Sequence, residues 1–215
     1  MTAPARRTQA ERRSASERAL LRAAAELIAE RGIERTSLRS IGARAGASRA
    51  MPAYHFGSKD GLIAQLARQG HELTMAATAD AVARDEHDLE SMPMLDALST
   101  IIETYLEVFT GDAPPEERAV VVMWGATFPS ESPLPAMVDS DRNTHRELTE
   151  IVRLGQDDGS VRRDVDAAVG ATMVMGLARG VAALLLTHDD LADARAVRAL
   201  AGETIRAALG VEQTD

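Results

Sequence analysis

Residues 36 to 56 read TSLRSIGARAGASRAMPAYHF, and the Ala45-Gly46 pair inside this run constrains the fold more than any other feature. A short segment flanks it on each side. In the first, Thr36 or Ser37 can cap a helix whose inner face is Leu38, Ile41 and Ala45; the second begins near Ser48. Side chains this small let two helices meet at a tight turn, with Ile41 and Ala45 one turn apart and aimed at a preceding helix. That helix is legible in SERALLRAAAELIAERG. Leu20, Leu21, Ala24, Leu27 and Ile28 recur there at helical spacing between a start at Ser16 and a stop at Gly32. Three short helices, the last two joined this way, make a helix-turn-helix unit the leading reading, although periodicity alone fits any small helical bundle.

The rest of the chain is also helical. Aromatic residues are only 3% of 215, so the core must be built from Ala, Leu, Val, Ile and Met, and alanine and leucine runs favour helices. Ser58 caps a fourth helix with the stripe Leu62, Ile63, Leu66 and Ala67. A polar break at 83–93 leads to a fifth with Leu95, Leu98, Ile102, Tyr105, Leu106 and Phe109 on one face. A sixth starts after Pro114 and Pro115 and stops before Pro129, and a long polar seventh follows it. Segment 164–188 is apolar almost all round, and a last helix closes the chain. The expectation is an all-α protein of about nine helices: a basic arm (1–14), a helix-turn-helix domain (15–62), and a larger bundle for ligand binding and dimerisation (63–215).

Charge divides the chain in the same place. Residues 1–60 hold twelve Lys and Arg against six Asp and Glu; the remainder holds twelve against twenty-seven, for a total net charge of -9. A basic head on an acidic body suits a protein that meets a polyanion at one end only. There is no cysteine, hence no disulfide or thiolate metal site. The N-terminus carries arginines without an apolar run behind them, which is unlike a signal peptide, and Arg179 interrupts the one membrane-like segment. The reading is cytoplasmic and without a membrane partner. The histidines (55, 71, 87, 145 and 188) form no HExxH or Glu-x-x-His arrangement, and no phosphate-cradling glycine loop is present. No cofactor or metal is expected, and no catalysis.

The stretch MPAYHFGSKDG (51–61) contains the only lysine of the chain, Lys59. With Ser58 as cap, Lys59 occupies the first position of helix 4, where a cation opposes the helix dipole. A DNA phosphate at the same helix end would reverse that balance, because free N–H groups and the ammonium then act together. Arg49 can reach base edges or phosphate, Tyr54 can donate its hydroxyl, and Arg39 and Arg44 are further phosphate candidates. His55 is either a phosphate donor or a core histidine, and Phe56 reads as packing. Pro52, four residues after Ser48, predicts an irregular recognition helix or one that starts later.

TSLRSIGARAGASRAMPAYHFGSKDGLIAQL resembles the N-terminal domain of the TetR family of transcriptional regulators, the specific part spanning about residues 18 to 67. The resemblance implies an all-helical homodimer, commonly a repressor released from a palindromic operator by a small ligand. Carried over by position, it implies backbone-facing roles for Thr36 and Arg39. Tyr54 and His55 match the family's aromatic-histidine pair, and Lys59 its phosphate-contacting lysine. The interface expected from charge and resemblance together comprises Thr36, Arg39, Arg44, Ser48, Arg49, Ala53, Tyr54, His55 and Lys59. Met51, Pro52 and Ala53 depart from the family's pattern, and Ala53 cannot make a polar contact. That departure supports the alternative reading, a dimeric helical small-molecule-binding protein with a weak or vestigial head.

Soft and aromatic residues gather in the larger body. Tyr105, Phe109, Met123, Trp124, Phe128, Met137 and Met173 are candidate walls for a small lipophilic or aromatic effector, with Thr127, His145 and Thr172 to orient it. A methionine stripe at helical spacing equally describes core. Gly176 and Gly180, four apart on helix 8, let another helix approach closely; with Leu184, Val197 and Ile205 they make a candidate four-helix dimer interface.

Overall fold

The computed structural model describes residues 8–84, 92–110, 113–127, 135–188 and 190–211, with the backbone alone at 74, 75, 77–79, 81–84 and 127. Among these residues the chain forms nine α-helices, and the only extended pairing is one bridge between Val161 and Gly210. The helices are α1 (Gln9–Arg31), α2 (Leu38–Arg44), α3 (Met51–Phe56), α4 (Lys59–Arg84), α5 (Met94–Glu107), α6 (Pro115–Thr127), α7 (Pro135–Asp158), α8 (Ala167–Thr187) and α9 (Ala194–Leu209). The all-α architecture read from the sequence is the observed one, with a helix-turn-helix head and a larger helical bundle. Most of the polar break at 83–93 falls outside the described residues.

The first helix starts earlier than Ser16. Thr8 and Glu11 form a capping box: the Glu11 amide donates to Thr8 Oγ1 at 3.2 Å, and the Thr8 amide donates to Glu11 Oε2 at 2.8 Å. That T-x-x-E spacing satisfies two orphan amide donors and nucleates the helix inside the expected arm. The apolar stripe begins only at Leu20, so residues 9–19 are helical without a buried residue among them.

Two compact units divide the chain, one made of Met1–Arg68 with Pro115–Met137, the other of Gln69–Pro114 with Val138–Asp215. In the first, α1 packs against α2 and α6. Its core joins Leu20, Ala24, Leu27 and Ile28 of α1 to Ile41 of α2, to Leu62, Ile63 and Leu66 of α4, and to Ala119 and Met123 of α6. Met137 is also in this core, and Trp124 packs against it. Met123 and Met137, candidates for a pocket wall, are thus core residues of the head, with 0% and 1% exposure.

In the second unit α5 lies against α9 and α8. Leu98, Ile102, Leu106 and Phe109 are buried as their spacing predicts. Gly202 of α9 makes room for Glu103, whose Oε1 would lie 2.0 Å from an added Cβ. Arg206 binds Asp96 at 3.1 Å and Glu103 at 3.3 Å, tying α9 to α5 by charge as well as packing. The start of α5 is held by α7: Met94 donates its amide to Asp158 at 2.8 Å, and Leu95 donates to Ser160 at 3.2 Å. These donors and Ser160 hold the Asp158 carboxyl below its ordinary pKa despite some desolvation.

Candidate nucleic-acid interface

The α2–α3 turn works through a glycine that spacing did not single out. A Cβ on Gly42 would lie 2.8 Å from the Ser48 carbonyl oxygen and 3.4 Å from Pro52 Cδ, so the backbone after α2 crosses directly over this residue. Ala45 caps α2, and Gly46 takes φ 65, the left-handed conformation the turn requires. Gly42 therefore sets the closeness of the crossing, and the Ala-Gly pair sets its direction.

Ser37, not Thr36, caps α2, in a reciprocal box with Ser40. Thr36 is 3% exposed and donates its hydroxyl to the Gly32 carbonyl at 2.9 Å. Its hydroxyl holds the α1–α2 turn and does not face outward, so its assignment to the DNA face is corrected. Arg44 is corrected likewise. Its guanidinium binds Glu30 at 2.7 and 2.8 Å and Glu26 at 3.3 Å, which clamps the end of α2 to α1. The hydrogen bond from Arg44 lowers the Glu30 pKa, and the two carboxylates raise that of Arg44.

The recognition helix starts at Met51 with Ala50 as N-cap, which corrects the expectation that Ser48 opens an irregular helix. Pro52 then stands in the first turn, where an amide has no intrahelical acceptor to lose, and the 3 kcal/mol order of penalty of an interior proline does not arise. Its buried ring packs toward Gly42. Ser48, Arg49, Ala50 and Ala53 are exposed, and Tyr54 is 71% exposed. The His55 ring lies edge-on to Tyr54 at 5.5 Å; its Nδ1 is buried with no hydrogen-bond partner among the described residues. Phe56 packs against the head core.

A second tight crossing sets the start of α4. Gly57 (φ 72) ends α3, and a Cβ on Gly61 would meet the Phe56 carbonyl oxygen at 2.2 Å. Ser58 caps α4 through the Gly61 amide at 3.0 Å, so Lys59 occupies the first helical position beside Asp60. Arg39, Arg49 and Lys59 make no ion pair or hydrogen bond among the described residues, and neither does exposed Arg35, which spacing had not flagged. The head thus separates its cations into one clamped by carboxylates and several left for an external anion.

In the second unit the candidate orienting pair comes together. His145 Nε2 lies 3.1 Å from Thr172 Oγ1 and 3.1 Å from the Ala168 carbonyl oxygen. Tyr105 and Phe109 meet edge to face at 5.2 Å. Met173 is 66% exposed, on the outer side of α8. Trp124 is half-buried in the head; the Thr127 side chain and Phe128 lie outside what the structure describes. No cluster of His, Asp or Glu among the described residues could hold a metal ion.

Helix α8 has two apolar faces. Gly170, Ala171, Val174, Ala178 and Ala182 are buried, whereas Val169, Met173, Gly176, Gly180 and Leu184 are exposed. It is the one described helix long and apolar enough to cross a membrane. Arg179, between the faces, binds Asp141 of α7 through two contacts of 2.5 and 3.1 Å. On α9, Leu200 is exposed and Val197 half-buried. Ile205 is only 4% exposed, because the α9 face that carries it with Gly202 packs on α5; its assignment to a dimer interface is corrected.

A short helix presented after a glycine turn, with unpaired cations on three successive elements, defines a helix-turn-helix protein of the DNA-binding class. Residues 20–66 match the model of the bacterial regulatory proteins, tetR family. The chain is 26% identical over 196 residues to the HTH-type transcriptional regulator UidR of Escherichia coli K12, covering 87% of this chain and 92% of that protein. The structure of SmeT, repressor of the Stenotrophomonas maltophilia multidrug efflux pump SmeDEF, shares the fold at a TM-score of 0.71 and 21% identity, over 91% of each chain. AibR, solved with isovaleryl coenzyme A and operator DNA, shares it at 0.64 and 20% identity, over 87% of this chain and 97% of its own. By its N-terminal domain the chain belongs to the TetR family of helix-turn-helix transcriptional regulators. Its place is therefore among DNA-binding regulators rather than enzymes.

Proposed function

We propose that this chain is a cytoplasmic, ligand-responsive repressor that binds a palindromic operator as a homodimer. The observation that carries the reading is the set of unpaired cations around the recognition helix. Arg39, Arg49 and Lys59 stand beside exposed Tyr54, while Arg44 is held by carboxylates. Lys59 at the first position of α4 and the α4 amides together suit a phosphate, which fixes register; Arg49 is the residue for base edges. The outer faces of α8 and α9 support the dimer. Val169, Met173 and Leu184 expose more than half of their surface, at a spacing that makes one stripe along α8, and Leu200 does the same on α9. Two such surfaces related by a two-fold axis bury each other in a four-helix arrangement and double the operator contacts. The repressor named for SmeT and the acyl coenzyme A named for AibR motivate the ligand response. The effector is expected to be small and lipophilic or aromatic, with Tyr105, Phe109 and the His145–Thr172 pair as the candidate contacts in the second unit. Ligand binding would favour an arrangement whose half-site spacing no longer fits the operator.

Fluorescence anisotropy with duplexes tiled across the DNA flanking the gene, and with random duplexes, at 50 and 200 mM salt, tests this reading. The expected result is one inverted-repeat duplex bound at least 1000-fold more tightly than random DNA, with a salt slope of several phosphates. Equal affinity for every duplex would sink it.

A further inference from the structure

Glu117 stands in the first turn of α6 with 3% of its surface exposed, and its Oε1 is buried without a hydrogen-bond partner. Helix α6 packs on α1, whose buried residues are all apolar: leucine, alanine and isoleucine. The cations of α1 near that contact are engaged elsewhere, Arg22 with Glu26, Arg18 with Ser14 and Arg31 with Ser40. The only charge acting on Glu117 is the like charge of Glu116, which together with burial raises its pKa to about 7. An ionised carboxylate in such surroundings is unstable by several kcal/mol unless a cation joins it, and the head supplies none.

The surroundings suit a cation with an apolar body. Val120 and Trp124 follow Glu117 at three and seven residues, on the same side of α6 and about 10 Å apart at most. Met123 and Met137 lie in the adjoining core, and Trp124 packs against it. Indole faces attract onium groups, and thioether side chains yield to irregular shapes. A lone carboxylate without further His or acidic ligands is a poor metal site, which leaves a monovalent organic cation.

We propose that Glu117, with Trp124 and Met123 beside it, anchors an organic cation of the ammonium type in the head of this protein. This deepens the ligand half of the function proposed above and does not depend on the DNA half. The incoming cation displaces the acid proton to solvent, and the carboxylate then gains the partner the protein does not provide. An effector held here touches the helix that packs on α1, within the same compact unit as the recognition helix.

Trp124 is the only tryptophan of the chain and reports on the site directly. The full-length protein, without DNA, is titrated with benzyltrimethylammonium and with its neutral carbon isostere neopentylbenzene. Trp124 emission is followed, with calorimetry in parallel. The expected result is saturable binding of the cation, at least tenfold weaker binding of the isostere, and at least tenfold weaker cation binding by Glu117→Gln. Glu117→Gln keeps the side-chain shape and removes a buried acid, so it should fold; circular dichroism checks this. A Val120→Ala variant keeps the carboxylate and should still prefer the cation over the isostere. Equal affinities for cation and isostere, undiminished binding by Glu117→Gln, or no saturable binding of either benzyltrimethylammonium or tetraphenylphosphonium would overturn the proposal. Because no DNA is present, these outcomes are distinct from a failure of operator binding in the anisotropy experiment.

Discussion

Gly42 and Gly61 in the head and Gly176 and Gly180 on α8 are alike in the sequence but opposite in their surroundings. A Cβ on either head glycine would strike a backbone carbonyl oxygen, Ser48 at 2.8 Å or Phe56 at 2.2 Å. A Cβ on either α8 glycine would meet nothing within 4 Å. The head uses its glycines internally, to bring three short helices into the geometry that exposes Arg49 and Tyr54. On α8 the missing side chains serve no contact within the chain, and the flanking Met173 and Leu184 are exposed. The same residue type thus marks a finished contact in one region and an open one in the other.

Gly61→Ala should have the largest effect, because a backbone oxygen cannot step aside as a flexible side chain can. Destabilisation of about 3 kcal/mol or more is expected, read as a lower melting temperature. Gly176→Ala in the same assay should leave the melting temperature of diluted protein within a degree or two. A similar loss at both sites would erase the contrast.

Inside the head, Glu117 gives a pH-dependent effect of up to about 3 kcal/mol. Its folded pKa of about 7 exceeds the ordinary 4.5, so the folded state binds the proton more tightly. Stability should therefore be undiminished below pH 4.5, fall as pH rises toward 7, and level off above. Glu117→Gln should melt higher than wild type at pH 8 and alike at pH 4.5. Identical differences at both pH values would refute the burial argument.

The open face of α8 is tested by charge. Leu184→Glu combined with Leu200→Glu should weaken self-association by about tenfold or more per site, ~1.4 kcal/mol each, with helicity unchanged. Sedimentation velocity reads the change in mass; an unchanged species would move the interface elsewhere.

The smallest effects separate the cations of the head. Lys59→Ala should weaken binding to every duplex by a similar factor and flatten the salt slope by about one. Arg44→Ala should lower the melting temperature slightly and leave the salt slope alone, since Glu26 and Glu30 already hold that charge. A flatter slope for Arg44→Ala would return it to the DNA face.

Much of the head was legible because its signals are local. The Ser58 cap, the Leu62–Ile63–Leu66 stripe and the Ala-Gly turn act over one or two helical turns, and the structure reproduces each. Pro52 misled because the helix start was placed at Ser48, two residues before the observed N-cap at Ala50. Thr36 and Arg44 misled differently. Nothing local tells whether a hydroxyl folds back on Gly32, or whether an arginine meets carboxylates fourteen and eighteen residues earlier.

The sequence by itself determined the helices, their order, the basic head and the resemblance of residues 18 to 67, since periodicity, capping and charge are written along the chain. Only the tertiary structure decided which positions share a neighbourhood. It placed α6 in the same unit as the recognition helix, made Met123 and Met137 core, turned Ile205 inward and left Glu117 buried without a partner. The reason is physical: burial and pairing depend on residues far apart in sequence, and only packing brings those together.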